Sequence, residues 1–223
     1  MSLLRKIADN QDPSSLASKL RRKRFAFFQR LLKELPRPIR ILDVGGTEVY
    51  WMGMGFDEWD DCEVTLLNVC VQQTATKNVV SMAGDARQMP QFGDSSFDVV
   101  YSNSVIEHLG TFEDQQRMAD EVQRVGKRYF VQTPNRYFPL EPHFLFPFFQ
   151  FLPFEMRVWI ASHYRVGWAC HPGDPVAARK EVESIRLLSR KDFVMLFPNA
   201  SIYPEQIFGM TKSWIAFGGW PTI

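Results

Sequence analysis

Cysteine is scarce in this chain of 223 residues, which has three, Cys62, Cys70 and Cys170, and no Cys-x-x-Cys pair. An odd number of scattered thiols argues against a disulfide framework and is typical of a reducing compartment. Cys170 stands beside His171, but no further ligands follow at a spacing known from metal sites, so we predict no metal site. We expect a cytoplasmic protein that relies on an apolar core.

Long apolar runs are also missing. No stretch of about 18 apolar residues occurs, so we expect no membrane-spanning helix, and the first twelve residues are too polar for a signal peptide. The formal net charge of +1 gives no overall attraction to nucleic acid. Residues 1–40 nevertheless carry eleven Lys and Arg against three acids. We interpret the arm 1–38 as a basic helix with a solvated face, or alternatively as a site for an anionic substrate or the inner membrane surface.

What the sequence does contain is an ordinary globular composition, 45% apolar and 23% charged, which favours one domain over residues 1–223. Apolar runs predict strands at 39–44, 63–69, 79–82, 97–102, 128–132, 201–208 and 212–217. Helical spacing predicts helices at 14–35, 112–125, 181–188 and 190–197, with Ser14 or Ser15 capping the first and Ser189 the last. This order predicts a doubly wound α/β fold with a mostly parallel seven-stranded sheet and a C-terminal antiparallel hairpin.

Polar residues and glycines follow the ends of the predicted strands. Asp43 ends the first strand and is followed by Gly45 and Gly46, which allow a sharp turn close to a ligand. Asn68 ends the second strand and Asp85 follows the third. Because ligands of open α/β sheets bind at the carboxyl ends of the strands, these residues predict one crevice.

Three segments in this order resemble class I S-adenosylmethionine-dependent methyltransferases, in the broad group that acts on small molecules, sugars and lipids. They are ILDVGG, GDARQMP and SSFDVVYSNSVIEHL, within residues 39–135. The resemblance implies a Rossmann-like methyltransferase fold and S-adenosylmethionine as cofactor. It also implies cofactor-binding roles for Asp43, Gly45, Gly46, Asn68, Asp85, Ala86, Asn103 and Ser104.

Two positions depart from that family pattern. Asn68 stands where the family usually has an acid that binds the ribose hydroxyls, and a neutral amide should bind a diol less strongly. The usual alternating glycines would fall at Thr47 and Val49. Both departures bear on the affinity for the cofactor more than on its identity.

The aromatic segment 136–180 interrupts the alternation and reads as a lid or acceptor-binding insertion. We predict His143 and Glu141 as the groups that handle an acceptor proton, because they follow the fifth strand, where an acceptor should sit. His108 and His163 are further candidates, and each histidine has a purely structural alternative. The expected acceptor is a small molecule, a sugar or a lipid-linked compound, with peripheral membrane contact as an open alternative.

Three other functions remain as alternatives. A degenerate methyltransferase fold that only binds ligands would account for Thr47, Val49 and Asn68. A nicotinamide-dependent oxidoreductase would need a GxGxxG turn, whereas this turn reads GGTEVY. A nucleic-acid methyltransferase often has a Pro-Pro-Tyr type motif after the fourth strand, where this chain has Ser102–Val105, so we expect no nucleic-acid partner.

Overall fold

The computed structural model describes residues 3–9, 12–56, 59–168 and 172–220. Cys170 and His171, considered above as a metal pair, lie outside the described residues. The helices are α1 (Leu3–Ala8), α2 (Leu16–Leu32), α3 (Glu48–Met52), α4 (Phe112–Val125), α5 (Phe154–His163), α6 (Pro175–Ser184) and α7 (Arg190–Leu196). The strands are β1 (Ile39–Val44), β2 (Cys62–Asn68), β3 (Val79–Ala83), β4 (Val99–Asn103), β5 (Tyr129–Pro134), β6 (Leu140–Glu141), β7 (Phe146–Pro147), β8 (Ser201–Ile207) and β9 (Met210–Gly218).

Seven of these strands form one sheet in the order β3-β2-β1-β4-β5-β9-β8. Strands β1 to β5 pair in parallel, and β9 runs antiparallel to both β5 and β8. The predicted fold class is therefore confirmed, including the C-terminal antiparallel hairpin. The sheet order reverses direction between β1 and β4, which is the position where open α/β sheets bind ligands.

Both faces of the sheet are covered, which explains why the central strands are apolar without alternation. On one face α2 and α3 bury Phe28 and Trp51 against β1, β2 and β4. On the other face α4 and α7 bury Met118 and Phe193. Full burial of a large apolar side chain is worth about 1.5–3 kcal/mol relative to exposure, so these two layers hold the strand ends in place.

Local sequence sets where several helices begin. The side chain of Ser15 accepts a hydrogen bond from the Ser18 amide at the start of α2. Ser189 and Asp192 form a reciprocal capping box at the start of α7. These contacts satisfy amides that have no partner within the helix, and they confirm Ser15 and Ser189 as the predicted caps.

One predicted helix was misplaced. The predicted helix 181–188 is α6, which starts at Pro175 behind the cap Asp174 and ends at Ser184. Leu188 instead forms a parallel bridge with Asn135 at the end of β5, where its side chain is fully buried. The described connections from β2 to β3 and from β3 to β4 are loops, and no helix was predicted in either. Burial of Leu188 beside the sheet outweighs its local helical preference.

The insertion 136–180 packs on itself as well as on the sheet. Phe144 and Phe149 stack with ring centroids 4.2 Å apart, and Val158, Ala178 and Val182 from α5 and α6 complete a separate apolar cluster. Part of the aromatic content is therefore core packing. Other aromatic side chains of the segment remain exposed, among them Phe148, Phe151, Trp159 and Trp168. In the described part of the chain, no helix is both long enough and apolar enough to cross a bilayer.

Candidate functional site at the carboxyl ends of the strands

The predicted cofactor-binding residues lie along one edge of the sheet, at the carboxyl ends of four adjacent strands. The Gly45 amide donates to the Leu67 carbonyl at 2.8 Å, and the Gly84 amide donates to the Asn68 carbonyl at 2.8 Å. The Ser104 amide likewise donates to the Gln132 carbonyl at 3.0 Å. These bonds continue the parallel ladder past the strand ends and bring the turns after β1, β3 and β4 into line.

The turn after β1 is built from glycines that a side chain would disrupt. Gly45 has φ +79°, and a Cβ there would lie 2.4 Å from Val105 Cγ2. A Cβ on Gly46 would lie 1.6 Å from the Asp43 carboxylate. Thr47, by contrast, has φ −133° and caps α3, so the family glycine is not required there. The departure at Thr47 is thus a helix cap rather than a defect of the loop.

Asp43 lies beneath this turn and is 1% exposed. Its Oδ2 accepts a hydrogen bond of 2.6 Å from Trp51 Nε1, whereas its Oδ1 is buried without a partner. Burial raises the pKa of Asp43 to about 7, against the opposing effect of the Trp51 hydrogen bond. A buried carboxylate oxygen without a donor is costly, so this atom favours a ligand or water that can donate.

Asn68 and Asp85 border the other side of the crevice. The Asn68 amide nitrogen donates to the Gly46 carbonyl at 2.8 Å, so it supports the glycine turn, and its side-chain oxygen can accept a hydroxyl hydrogen bond. Asp85 is held by Arg87, whose Nη2 lies 2.6 Å from Asp85 Oδ2. These bonds lower the pKa of Asp85 and keep it ionised. Ala86 follows it and is half-buried against the core.

A cavity of about 320 Å³ opens beside the end of β4. Asn103 and Ser104 line it, together with Gln132 and Pro134 from the end of β5. Its walls come from α2, from the insertion and from the β8–β9 hairpin, and most of them are apolar, with Leu16, Leu20, Phe138, Leu145, Trp168 and Phe208. The cavity is thus of the size and character of a small-molecule site.

The floor of the cavity is a buried polar network centred on Arg24 of α2. Its Nε and Nη2 donate to the two carboxylate oxygens of Glu205 at 3.0 and 2.7 Å. Its Nη1 donates to Gln132 Oε1 at 3.1 Å and to Asn103 Oδ1. The Gln132 side-chain oxygen also accepts from the Ser104 hydroxyl at 2.9 Å. The network fixes the residues at the ends of β4 and β5 relative to α2.

Arg24 does not belong to a solvated helix face, the first of the two interpretations of the basic arm, because it is only 6% exposed. The available signal was its position between Leu20 and Phe28, on the face of α2 that is otherwise apolar. Glu205 has no sequence signal of this kind, because its partners come from distant elements.

Two further basic side chains, Lys212 and Arg21, line the cavity. Lys212 Nζ lies 4.0 Å from Glu205 Oε2, and burial together with the charge of Arg24 lowers the pKa of Lys212 to about 8. Glu205 is thus the single carboxylate near Arg24 and Lys212 in this network, so the described cations at the cavity carry more positive charge than it neutralises.

Glu141 and His143, the predicted catalytic pair, contact each other just beyond β5. Glu141 Oε1 lies 2.7 Å from His143 Nδ1, and Glu141 Oε2 accepts the backbone amides of His143 and Phe144 at 2.8 and 2.6 Å. Burial by itself would lower the pKa of His143, but the hydrogen bond and charge of Glu141 raise it above its ordinary value. Both oxygens of Glu141 are engaged in these contacts, which fix the orientation of the His143 ring.

One carboxylate, Glu107, and one imidazole, His108, lie close to this pair. Both belong to the short helical turn after β4, Ile106–Leu109. The rings of His108 and His143 are 4.7 Å apart at 87°. Glu107 is fully buried and accepts a hydrogen bond of 3.0 Å from the Thr133 hydroxyl. Burial raises the pKa of Glu107, partly offset by the charge of His143. His163 lies apart from this group on α5, where its ring stacks on Trp159.

The comparisons with known proteins agree with this architecture. Residues 60–129 match the family model of a methyltransferase domain. The uncharacterized protein Rv1509 of Mycobacterium tuberculosis is 38% identical over 56 residues, which are 25% of this chain and 19% of that protein. The match thus spans about a fifth of that relative.

Two solved structures share the fold over nearly the whole chain. The CurJ carbon methyltransferase has a TM-score of 0.55 at 12% identity, covering 96% of this chain and 65% of that one. A SAM-dependent methyltransferase from Aquifex aeolicus has a TM-score of 0.51 at 13% identity, covering 97% and 98%. Identities this low show the fold alone. Together with the family model over residues 60–129, they show the fold of class I S-adenosylmethionine-dependent methyltransferases.

The residues present fit S-adenosylmethionine as the cofactor. The glycine turn at Gly45 and Gly46 leaves no side chain over the crevice, and the buried Asp43 Oδ1 lacks a hydrogen-bond donor. Asn68 supplies a neutral acceptor in place of the usual acid. The turn after β1, the end of β2 and the turn after β3 can therefore hold the amino-acid, ribose and adenine parts along one edge.

Proposed function

We propose that this chain transfers a methyl group from S-adenosylmethionine to an acceptor bound in the cavity beside β4. One observation carries the proposal: Asn103 and Ser104 line that cavity and also end the strand that borders the cofactor crevice. A donor in the crevice and an acceptor in the cavity would thus meet at the end of β4. We assign cofactor binding to Asp43, Gly45, Gly46, Asn68, Asp85, Ala86, Asn103 and Ser104.

When bound, the sulfonium of the cofactor supplies an activated methyl group with a good leaving group. The chain's own task is then to hold the acceptor atom in line with the carbon–sulfur bond and to exclude water. The Arg24 network keeps Asn103 and Gln132 fixed on the cavity floor. Such rigid positioning supports a site in which orientation, rather than acid–base chemistry, makes the main contribution.

The cavity favours an acceptor with an apolar body and an anionic end. Aromatic and aliphatic walls suit the apolar part, and Lys212 with Arg21 suits a carboxylate or phosphate. A lipid-linked acceptor fits this description, and the exposed aromatic residues of the insertion support it. In this proposal residues 136–180 act as a lid over the acceptor.

For an acceptor that must lose a proton, the reacting group of the chain is His143, oriented by Glu141. The hydrogen bond to Glu141 engages Nδ1 and leaves Nε2 for chemistry. Replacing His143 by Ala should lower kcat for a hydroxyl acceptor while leaving the dissociation constant for S-adenosylmethionine unchanged.

Cofactor binding is tested by calorimetry with S-adenosylmethionine on the Gly45→Ala variant, with Gly55→Ala as the matched control. Both glycines have φ near +80°, so both substitutions carry the same backbone cost of about 1–2 kcal/mol. Only at Gly45 would the added Cβ collide, whereas nothing lies within 4 Å at Gly55. We expect binding by wild type and G55A and its loss in G45A. Equal binding by both variants would contradict the assignment.

The acceptor cavity is tested with 8-anilinonaphthalene-1-sulfonate, a fluorescent probe with an apolar body and one negative charge. Lys212→Met should weaken its binding, because the cation facing the sulfonate is lost. Lys191→Met, on the exposed face of α7, is the control and should have no effect. Probe binding that is the same in wild type and K212M would exclude an anion-binding role for Lys212.

A further experiment tests whether the acceptor is linked to a lipid. Co-sedimentation with phosphatidylglycerol vesicles at low and high salt measures whether the basic arm and the exposed aromatic residues contact an anionic surface. Binding that weakens with salt supports this kind of acceptor. If nothing sediments at low salt, contact with an anionic membrane surface is excluded.

The non-catalytic alternative predicts a different outcome. A folded protein with no detectable affinity for S-adenosylmethionine would favour a binding module over an enzyme. Two contacts argue against this alternative, because they give the unusual residues structural roles in the loop. Thr47 caps α3, and the Asn68 side chain donates to the carbonyl of Gly46.

A further inference from the structure

A cluster outside the cofactor crevice combines three groups that commonly ligate metal ions. Glu107, His108 and His143 each offer a ligand atom, and these atoms all lie within 4.8 Å of one another. Around one tetrahedral cation with bonds of about 2.1 Å, the ligand atoms lie about 3.4 Å apart. The cluster would therefore have to contract by at most about 1.4 Å, which side-chain rotation of the three ligands can supply.

The Glu107 carboxylate is incomplete without a further partner. It is fully buried, and Oε2 accepts a hydrogen bond from Thr133, but Oε1 has no partner. A buried carboxylate oxygen without a hydrogen-bond partner lowers the stability of the folded state, and such atoms are rare in native proteins. A cation at this position would satisfy the oxygen directly.

His143 is oriented in the way that metal-binding histidines are. A carboxylate commonly holds one ring nitrogen of such a histidine, which fixes the ring and makes the other nitrogen a better ligand. Glu141 does this here at 2.7 Å from Nδ1, and Glu141 is itself buried and anchored by two backbone amides. This supporting contact is independent of the unpartnered oxygen of Glu107.

We propose that Glu107, His108 and His143 bind one divalent transition-metal cation, of the Zn²⁺, Mn²⁺ or Co²⁺ type. Two imidazoles and one carboxylate suit these ions better than Mg²⁺ or Ca²⁺, which prefer oxygen ligands. Three protein ligands leave at least one position open for water or an acceptor oxygen. The sequence alone predicted no metal site, because the ligands come from two segments that meet only in the fold.

The site lies next to the proposed acceptor cavity. Pro142, which precedes His143, and Ser104, three residues before Glu107, both line that cavity. A cation here would bind the acceptor oxygen and lower the pKa of its hydroxyl group, so His143 would act as a ligand instead of taking up the proton itself. This catalytic use rests on the proposed function, whereas metal binding itself does not.

The test uses the full chain, freed of metal with a chelator and then titrated separately with ZnCl₂, MnCl₂ and CoCl₂ by calorimetry. We expect saturable binding of one cation per chain and a change in the visible absorption of Co²⁺ when imidazoles ligate it. His143→Ala and His108→Gln should each weaken binding at least tenfold, and Glu141→Gln should weaken it about 10–100-fold through loss of orientation. His163→Ala, a histidine away from the cluster, should bind like wild type.

Circular dichroism of each variant shows whether it is folded. If the histidine variants do not fold, Glu107→Gln replaces them as the test variant, because its amide oxygen can still accept the hydrogen bond from Thr133. The inference is overturned if wild type shows no saturable binding of any of the three cations. It is also overturned if H143A and H108Q bind as tightly as wild type. Affinity for S-adenosylmethionine is measured in the same samples. Binding of S-adenosylmethionine without binding of a metal refutes this inference alone. Binding of a metal without binding of S-adenosylmethionine refutes the methyl-transfer proposal alone.

Discussion

Replacing Arg24 by methionine should be among the most destabilising single changes outside the apolar core. Arg24 and Glu205 are 6% exposed each and share two hydrogen bonds of 3.0 and 2.7 Å. Without Arg24, the buried Glu205 carboxylate keeps only the Ser213 hydroxyl and the more distant Lys212, 4.0 Å away, as partners. Removing one member of a buried ion pair typically costs about 3–5 kcal/mol. Methionine keeps most of the apolar stem, so packing contributes little to this loss. We expect the free energy of unfolding to fall by about 3–5 kcal/mol, a large part of the usual total.

The assay is urea unfolding of four proteins: wild type, R24M, E205Q and the double variant R24M/E205Q. The glutamine of the double variant is neutral, so it does not leave a buried charge. The double variant should therefore lose less free energy of unfolding than the two single variants lose together, by at least about 2 kcal/mol. Lys23→Met, at the exposed neighbouring position of α2, is the control and should stay within about 0.5 kcal/mol of wild type.

The effect should also depend on pH. Burial alone would raise the pKa of Glu205, but the charge and hydrogen bonds of Arg24 lower it below its ordinary value of 4.5. A lowered pKa in the folded state contributes stability above the unfolded value, and that contribution is lost as the pH falls through the folded value. The difference between wild type and E205Q should shrink below about pH 4.5. Strictly additive single effects, or a loss below 1 kcal/mol in R24M, would refute the reasoning.

Three further changes follow from single contacts. Burial raises the pKa of Asp43 to about 7, so its contribution to stability is complete below about pH 4 and is lost as the pH rises to 7. Relative to Asp43→Asn, wild type should thus lose up to about 4 kcal/mol over that range in urea unfolding, and parallel curves would contradict this. Ser189→Ala removes half of the capping box with Asp192 and should cost about 1 kcal/mol, measured as a lower melting temperature. Gly167→Ala places a Cβ 1.8 Å from the His143 carbonyl oxygen, so limited proteolysis should cleave the insertion faster than in wild type. Unchanged cleavage would mean that the contact is adaptable.

Much of the fold could be predicted because the parallel strands are short apolar runs with polar residues and glycines at their ends. Asp43, Asn68 and Asp85 end or follow successive strands, and the structure places them along one edge, as the crevice hypothesis requires. Their roles toward the cofactor stay predictions. The helix at 181–188 was misplaced, since burial of Leu188 beside β5 is a tertiary contact that local periodicity does not reveal.

Residue order and local chemistry by themselves determined the sheet class, the glycine turn, the caps and the edge where the crevice lies, because each depends on neighbours within a few positions. Only the tertiary structure decided that Arg24 is buried against Glu205, and that Glu107 and His108 meet His143. These pairs are separated by long stretches of chain, and it is the packing of α2, β8 and the insertion around the ends of β4 and β5 that brings their charges together.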